Sequence, residues 1–402
     1  MTITVSQISS LVGRFTNSIV NEQAMLECPF VGSGTIKKKK IRDKTGVVNI
    51  KAGELRSAGA VADGGTLPEG ADVQPVQGTY LPVGIFARIS IPRIAAKLAS
   101  SLDDGIDLVK EEMESCGQTL GRILGRSIFV QTLSGPTANV AAGSTTFTVA
   151  SASGYRVGMA FEVWRTNTAV EGTTAATLLY VTNIAIPTDG VSDTTITFVG
   201  TNGGGSNSAW VAATDTLYLR GTKSNPMVSL GDVTAAASLY GLVHTGNEWS
   251  GNLNTAMTTM SVPQLRSGMT VLVRRRGAKP THIVSNRLNE ERYSNLLINN
   301  RRFMNGKMDA VGGASFDLEG IPWITDENID DTDVYYFNDK DVMLHEFQGF
   351  LPETNGGKKA GMDMGAALIS DTSLIYDVQV LGIYNLRCQR RNGTLRFSGV
   401  AA

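Results

Sequence analysis

One stretch limits the folds open to this chain more than any other: Ser101–Leu133. Apolar residues recur there at Ile106, Val109, Met113, Cys116, Leu120, Leu124 and Ile128. Steps of three and four place them on one face of a helix. The spacing predicts a helix from Asp104 to about Gln131, roughly 40 Å long at about 1.5 Å per residue. Ser101-Leu-Asp-Asp104 reads as a capping box at its start. Asp103, Asp104 and Asp107 suit the positive end of the helix dipole, and Arg122 and Arg126 the negative end. Gly117, Gly121 and Gly125 share one stripe. Each costs about 1 kcal/mol of helix propensity against alanine, so the stripe implies close packing against a sheet or loop, or a bend. A helix this long with one greasy face needs a large body to bury it. A 402-residue chain with 42% hydrophobic residues supplies one, divided among two to four domains.

Upstream of the helix the chain changes character twice. Ile8, Leu11, Val12, Phe15 and Ile19 form a short amphipathic pattern, broken at Cys28-Pro29-Phe30. That stripe must dock on the body or on a neighbouring subunit. Next comes "VGSGTIKKKKIRDKTG", Val31–Gly46, where Lys37–Lys40 are followed by Arg42 and Lys44. Residues 47–92 are rich in Gly, Pro and Asp. Strands are expected at Val47–Lys51 and Thr79–Ile91, with Ala58–Gln77 almost devoid of core-forming residues. A loop that long is functional or disordered in most compact domains, and here it predicts an extended hairpin projecting from the body.

Downstream, Gly135–Gly221 contains no lysine and is dominated by Thr, Ser, Gly and Ala. "STTFTVAS", "GMAFEVWR", "TLLYVTNI", "TTITFVG" and "DTLYLRG" recur between turn signals, which predicts a small barrel or sandwich inserted into the chain. After Lys223 the pattern is mixed. A helix is expected over Asn286–Asn299, then strands at "GIPWIT", "DVYYFND" and "DVMLHEF". Asn392-Gly393 reads as a two-residue hairpin turn between alternating strands.

The residues that carry chemistry are sparse. Formal net charge is −1, so no global basic field exists to hold nucleic acid. Cys28, Cys116 and Cys388 lie far apart, which argues against a disulfide framework or a zinc site. His244, His282 and His345 lack partners at ligand spacing, so no metal is expected. The lysine run fails the phosphate-loop pattern, because no Ser or Thr follows a Gly-Lys pair. It reads as a solvated or subunit-facing charged strand, with loose DNA contact the lesser alternative, and Arg274–Arg276 is read the same way. "DENIDDTD", Asp326–Asp333, reads as an acidic surface loop. No catalytic constellation, cofactor or membrane span is expected, and the N-terminus has no signal-peptide pattern.

The order of these segments resembles the major capsid proteins of tailed bacteriophages, the Johnson fold. "TLPEGADVQPVQGTYLPVGIFARISIPRIAAKLASSLDDGIDLVKEEMESCGQTLGRIL" resembles that family's extended loop running into its spine helix. "KPTHIVSNRLNEERYSNLL" resembles a strand and helix of its axial domain, and "FDLEGIPWITDENIDDTDVYYFNDKDVML" its strand–acidic turn–aromatic strand. The resemblance implies an α+β fold. Its parts are an N-terminal arm (1–46), an extended loop (47–92) and a peripheral domain with the spine helix (93–134 and 346–402). An inserted β barrel-like domain (135–222) and an axial domain (223–345) complete it. It implies a shell of hexamers and pentamers around double-stranded DNA, in a virion assembled in the host cytoplasm. A portal protein is implied as a partner, any scaffolding function is implied to be a separate protein or absent, a decoration protein is an open option, and contact with the packaged DNA is weak and non-specific. Lys37, Lys38, Lys39, Lys40, Arg42, Glu69 and Asp72 become candidate subunit contacts. Some members crosslink through a lysine in the extended loop. This chain has none between Lys51 and Lys97, so no such bond is expected. Two other readings stay open: an encapsulin-like cellular compartment, which shares the fold, and a β-rich adhesin or carbohydrate-binding protein.

Overall fold

Secondary structure follows the sequence signals closely in some segments and departs from them in others. The structure is a computed structural model. It describes residues 19–51, 75–92, 102–165 except 142, 168–171, 178–186, 194–200, 215–243, 249–298 except 278, 317–352, 368–369 and 375–400, plus isolated positions between 60 and 66. The amphipathic pattern over Ile8–Phe15, the capping serine Ser101 and most of Ala58–Gln77 lie outside the described residues.

Helix α1 (Asn21–Leu26) stops before Cys28-Pro29, where proline starts a separate helical turn, Pro29–Gly32. Strand β1 (Lys37–Lys40) follows, then β2 (Gly46–Lys51) and β3 (Pro75–Tyr80), an antiparallel ribbon with Gly46 opposite Tyr80 and Lys51 opposite Pro75. The single strand expected over Thr79–Ile91 is two strands. Leu81-Pro82 interrupts it, since proline has no N–H for a ladder. The second piece, β4 (Val83–Pro92), leaves the ribbon and joins the body.

Helix α2 (Leu102–Phe129) buries Met113, Cys116, Leu120, Leu124 and Ile128, the face its spacing predicts. The glycine stripe packs mainly on another helix rather than on a sheet. A Cβ on Gly117 would lie 2.9 Å from Val20 O, and one on Gly121 2.5 Å from Ala24 O and 2.7 Å from its Cα. Gly125 faces the side chain of Asn328. The glycines let α1 approach backbone to backbone. Gly121→Ala is therefore expected to lower stability by about 1–3 kcal/mol through overpacking, more than alanine's gain in helix propensity. Thermal denaturation checks this; an unchanged midpoint would mean that α1 yields freely.

The five strands read from the Gly/Thr-rich segment all form, with two short additions. They are β5 (Thr132–Leu133), β6 (Thr146–Val149), β7 (Ala160–Arg165), β8 (Thr168–Glu171), β9 (Leu179–Ala185), β10 (Thr194–Gly200) and β11 (Asp215–Leu219). The order is β5-β11-β7-β9-β10-β6, with β8 on β7. The ring then closes: past β5, Pro136 bridges Val149 and Thr137 N–H donates to Thr148 O at 2.9 Å. Alternate residues point inward, as the two-residue strand period requires. Phe147, Phe161, Phe198, Val163, Ile196 and Leu217 belong to a core of their own.

Helix α3 (Leu230–Ala235) carries a reciprocal cap between Ser229 and Asp232. Strands β12 (Ser238–Leu239) and β13 (Leu242–Val243) turn through Tyr240 and Gly241, both at positive φ, 55° and 78°. The remaining elements are β14 (Asn252–Asn254), α4 (Val262–Arg276), β15 (His282–Ser285), α5 (Arg287–Ile298), β16 (Asp317–Leu318), β17 (Ile321–Thr325), β18 (Val334–Phe337), β19 (Val342–Pro352), β20 (Leu368–Ile369), β21 (Ile375–Cys388) and β22 (Leu395–Phe397). They build two sheets. In one, β21 pairs with β19 and β20 and, along Val83–Pro92, with β4, while β1 adds in parallel to β19. The other runs β14-β22-β18-β15-β17-β16. The all-buried strand "VYYF" of β18 separates two cores. Tyr335 and Phe337 belong to the cluster around α1 and α2, Val334 and Tyr336 to the cluster around α4 and α5.

Two expectations fail here. Asn392-Gly393 is not a hairpin turn: β21 and β22 lie in different sheets. Arg391 beside it is fully buried, donating to the carbonyls of Val233, Asp232 and Ala236, and this directs the chain from one sheet to the other. Arg274–Arg276 are not on a strand. They form the last turn of α4, which Gly277 ends in the left-handed conformation at φ 79°.

Candidate functional site

The lysine run forms an edge strand. Upstream, Phe30, Val31 and Ile36 are buried and Ile36 N–H donates to Phe30 O at 3.3 Å, which anchors the entry. All four lysines of β1 are exposed, as is Arg42 just beyond. Their charges are partly matched within the chain. Lys37 Nζ lies 2.8 Å from Asp339, Lys40 Nζ lies 4.0 Å from Glu346, and Lys38 Nζ reaches Met25 Sδ at 2.8 Å. At such exposure an ion pair is worth about 0–1 kcal/mol, so the strand keeps its basic character. Four lysines with alternating faces give no shared concavity for a phosphate. The two glycines before them are fixed in place: Gly32 packs so closely that a Cβ would sit 2.4 Å from Met25 O, and Gly34 makes a turn at φ 75°. Glu69 and Asp72 lie outside the described residues.

Next to β1 the foot of the β2–β3 ribbon is clamped. Tyr80 hydroxyl hydrogen-bonds His345 Nδ1, and the Tyr80 ring stands 5.1 Å from that of Tyr240. Tyr240 donates to Leu386 O and accepts from Cys388 N–H, both at 2.8 Å, while Thr79 N–H reaches Tyr240 O at 3.3 Å. A cavity of about 780 Å³ opens beside this foot, lined by Thr45, Tyr80, Pro82, Pro226, Tyr240 and Asn385 among others. His345 is 3% exposed, and its Nε2 has no hydrogen-bond partner among the described residues. Burial first, then the nearby Arg387 and Lys39, push its pKa down to about 4, so the ring is neutral at pH 7.

Behind the strand, the acidic stretch read as a surface loop is a buried junction. Asp326 is 1% exposed and Asp333 0%. Asp326 accepts from Phe30 N–H at 3.1 Å and from Asn328 N–H at 2.9 Å, tying the N-terminal turn to the body. Arg126 of α2, also buried, donates to Asn328 O at 2.9 Å and Thr132 O at 2.6 Å, and pairs with Asp330 at 2.5 Å. Asp331 accepts from Ser151 of the ring and from Asn286, which follows β15. Ser153 donates to Ile329 O at 2.6 Å, and Asp333 pairs with Arg396 at 2.7 Å. Arg122 pairs with Glu27 at 2.9 Å. The two arginines assigned to the helix dipole thus bind specific carboxylates. Burial raises the pKa of Asp326 and Asp333, with hydrogen bonds to Asp326 and the charge of Arg396 beside Asp333 opposing it. The junction holds four units in register: the N-terminal turn, α2, the ring and the second sheet. One signal for it stood in the sequence, since Arg126 lies between the core positions Leu124 and Ile128, where a charge requires a partner.

Among the described residues no three His, Cys, Asp or Glu side chains converge at metal-binding range, and no helix is long and apolar enough to cross a membrane. All three cysteines are buried, and burial pushes the Cys116 and Cys388 thiols up to about 12, far from a reactive thiolate.

No family model matches the chain, and no curated protein matches its sequence. Solved structures do. A chain of the capsid asymmetric unit of cyanophage A-1(L) aligns at TM-score 0.50 and 9% identity, covering 94% of this chain and 93% of that one. The capsid of a native GTA particle aligns at 0.47 and 10%, covering 94% and 91%. The SrpI encapsulin of Synechococcus elongatus aligns at 0.46 and 8%, covering 93% and 88%. At such identities only the fold is shared. Nearly end to end, this mixed α+β chain has the fold of a phage capsid subunit.

Proposed function

We propose that the chain is the major capsid protein of a tailed bacteriophage and self-assembles into the icosahedral shell around its double-stranded DNA. The observation that carries this reading is the end-to-end fold match to a phage capsid subunit. The β2–β3 ribbon buries Val48 and Ile50 in the main core and leaves Val47 exposed on its other face; that face and the basic edge strand add surfaces suited to neighbouring copies. On this reading residues 1–46 are the arm and 47–92 the extended loop, whose second half is woven into the body as β4. The peripheral domain is 93–134 with 346–402, the axial domain is 223–345, and 135–222, which supplies every strand of the ring but β5, is an insertion on the outer surface or between capsomers. Lys37–Lys40 and Arg42 contact a neighbour, with Glu69 and Asp72 as acidic counterparts. A portal, and any scaffolding or decoration protein, would be separate chains.

Particle content tests the reading. Shells recovered from producing cells are expected to hold nuclease-protected double-stranded DNA. Shells filled with a folded enzyme instead would make the protein a cellular compartment. Replacing Lys37–Lys40 together by Gln is expected to reduce the yield of shells at least several-fold, measured by sedimentation. Normal shells with depleted DNA would move the lysines from the subunit contact to the genome.

A further inference from the structure

The parallel register of β1 on β19 fixes which main-chain groups are used. Ile41 N–H donates to Glu346 O at 3.0 Å, and Lys40 stands opposite Glu346. Strand alternation therefore turns the N–H and C=O groups of Lys37, Lys39 and Ile41 toward β19, and those of Lys38 and Lys40 away from it. β1 ends its sheet, and among the described residues no strand pairs with its outer edge. An open edge is a template for another strand, but one flanked by four lysines repels a second copy of itself. It suits an extended segment of opposite charge.

We propose that this edge is completed in the shell by main-chain pairing with the acidic segment Glu69–Gln74 of a second copy. This rests on the capsid reading above. Complementarity of charge selects the occupant. Residues 37–44 carry six cationic side chains against one carboxylate, while residues 52–74 carry Glu54, Asp63, Glu69 and Asp72 against Arg56 alone. The main chain of Lys38 and Lys40 supplies the hydrogen bonds, and the lysine side chains select for carboxylates. DNA would use the side chains and leave these amides open.

Hydrogen exchange on the full chain, assembled and unassembled, separates the outcomes. In shells, the fragment spanning residues 36–41 is expected to contain two amides that exchange at least ten-fold slower than in the free chain. Lys38→Pro removes one outward N–H and leaves pairing to β19 intact. It is expected to weaken binding of the peptide TLPEGADVQ to the unassembled chain at least ten-fold, against two- to three-fold for Lys38→Gln. Equal exchange in shells and free chain, equal effects of the two substitutions, or slowing only when DNA is added would each overturn the proposal. Failure to form shells would sink the capsid reading, and the peptide comparison would still decide the edge.

Discussion

Arg126→Met is expected to destabilise the protein by about 3 kcal/mol, the largest loss from any single side chain in the junction. Arg126 is 1% exposed, and its guanidinium serves Asn328 O, Thr132 O and Asp330 at once. Methionine fills the volume but leaves two carbonyls without a donor and a carboxylate without its cation. Unsatisfied buried groups cost about 1–3 kcal/mol each, and breaking a buried pair about 3–5. The upper range does not apply, because the Asp330 side chain keeps 19% of its surface in water. Arg126→Lys keeps the charge and loses the fork, so an intermediate loss is expected. The ring is tied to the body through this arginine and through Ser151 and Ser153. Calorimetry of the methionine variant should therefore separate an early transition for the ring from that of the body. A single transition at the wild-type midpoint would show that the ring holds its place without the junction.

The second large effect is one of pH. His345 has its folded-state pKa depressed to about 4 from an ordinary 6.5. Between those values the unfolded chain binds a proton that the folded chain refuses. The stabilisation is complete above pH 6.5 and is lost as the pH falls toward 4, a change on the order of 2–3 kcal/mol. Protonation puts a charge where Tyr80 closes the foot of the ribbon. Asp326 and Asp333 act in the opposite sense. Their folded pKa values are raised, so the folded state takes up protons more readily and acidification favours it through them. Urea unfolding at pH 7 and pH 4.5 measures the balance. His345→Gln, which keeps a hydrogen-bonding partner for Tyr80 and does not titrate, is expected to lose about 2 kcal/mol less over that interval than wild type. Equal losses in both would remove His345 from the account.

What could be read without coordinates depended on whether a periodicity carried the information. The buried face of α2 and the ring strands were legible, because spacings of three to four and of two follow directly from backbone geometry. Strand partners were not. Nothing in "GTYLPVGIFARISIP" says that its two halves belong to a ribbon and to the body sheet, apart from a proline whose effect depends on its neighbours. The stripe Gly117, Gly121 and Gly125 announced close approach but not the identity of α1. Burial of the acidic loop was hidden because carboxylates look alike in solvent and in a satisfied network. Only Arg126, a charge within an apolar stripe, pointed inward. The lysine run was legible as a strand and as a surface, while its place at a sheet edge beside β19 required the fold.

Electron microscopy of the purified protein, with sedimentation of the same sample, tests the central claim most directly. Closed shells tens of nanometres across are predicted. A chain that stays monomeric in all buffers and at all concentrations tried would contradict it.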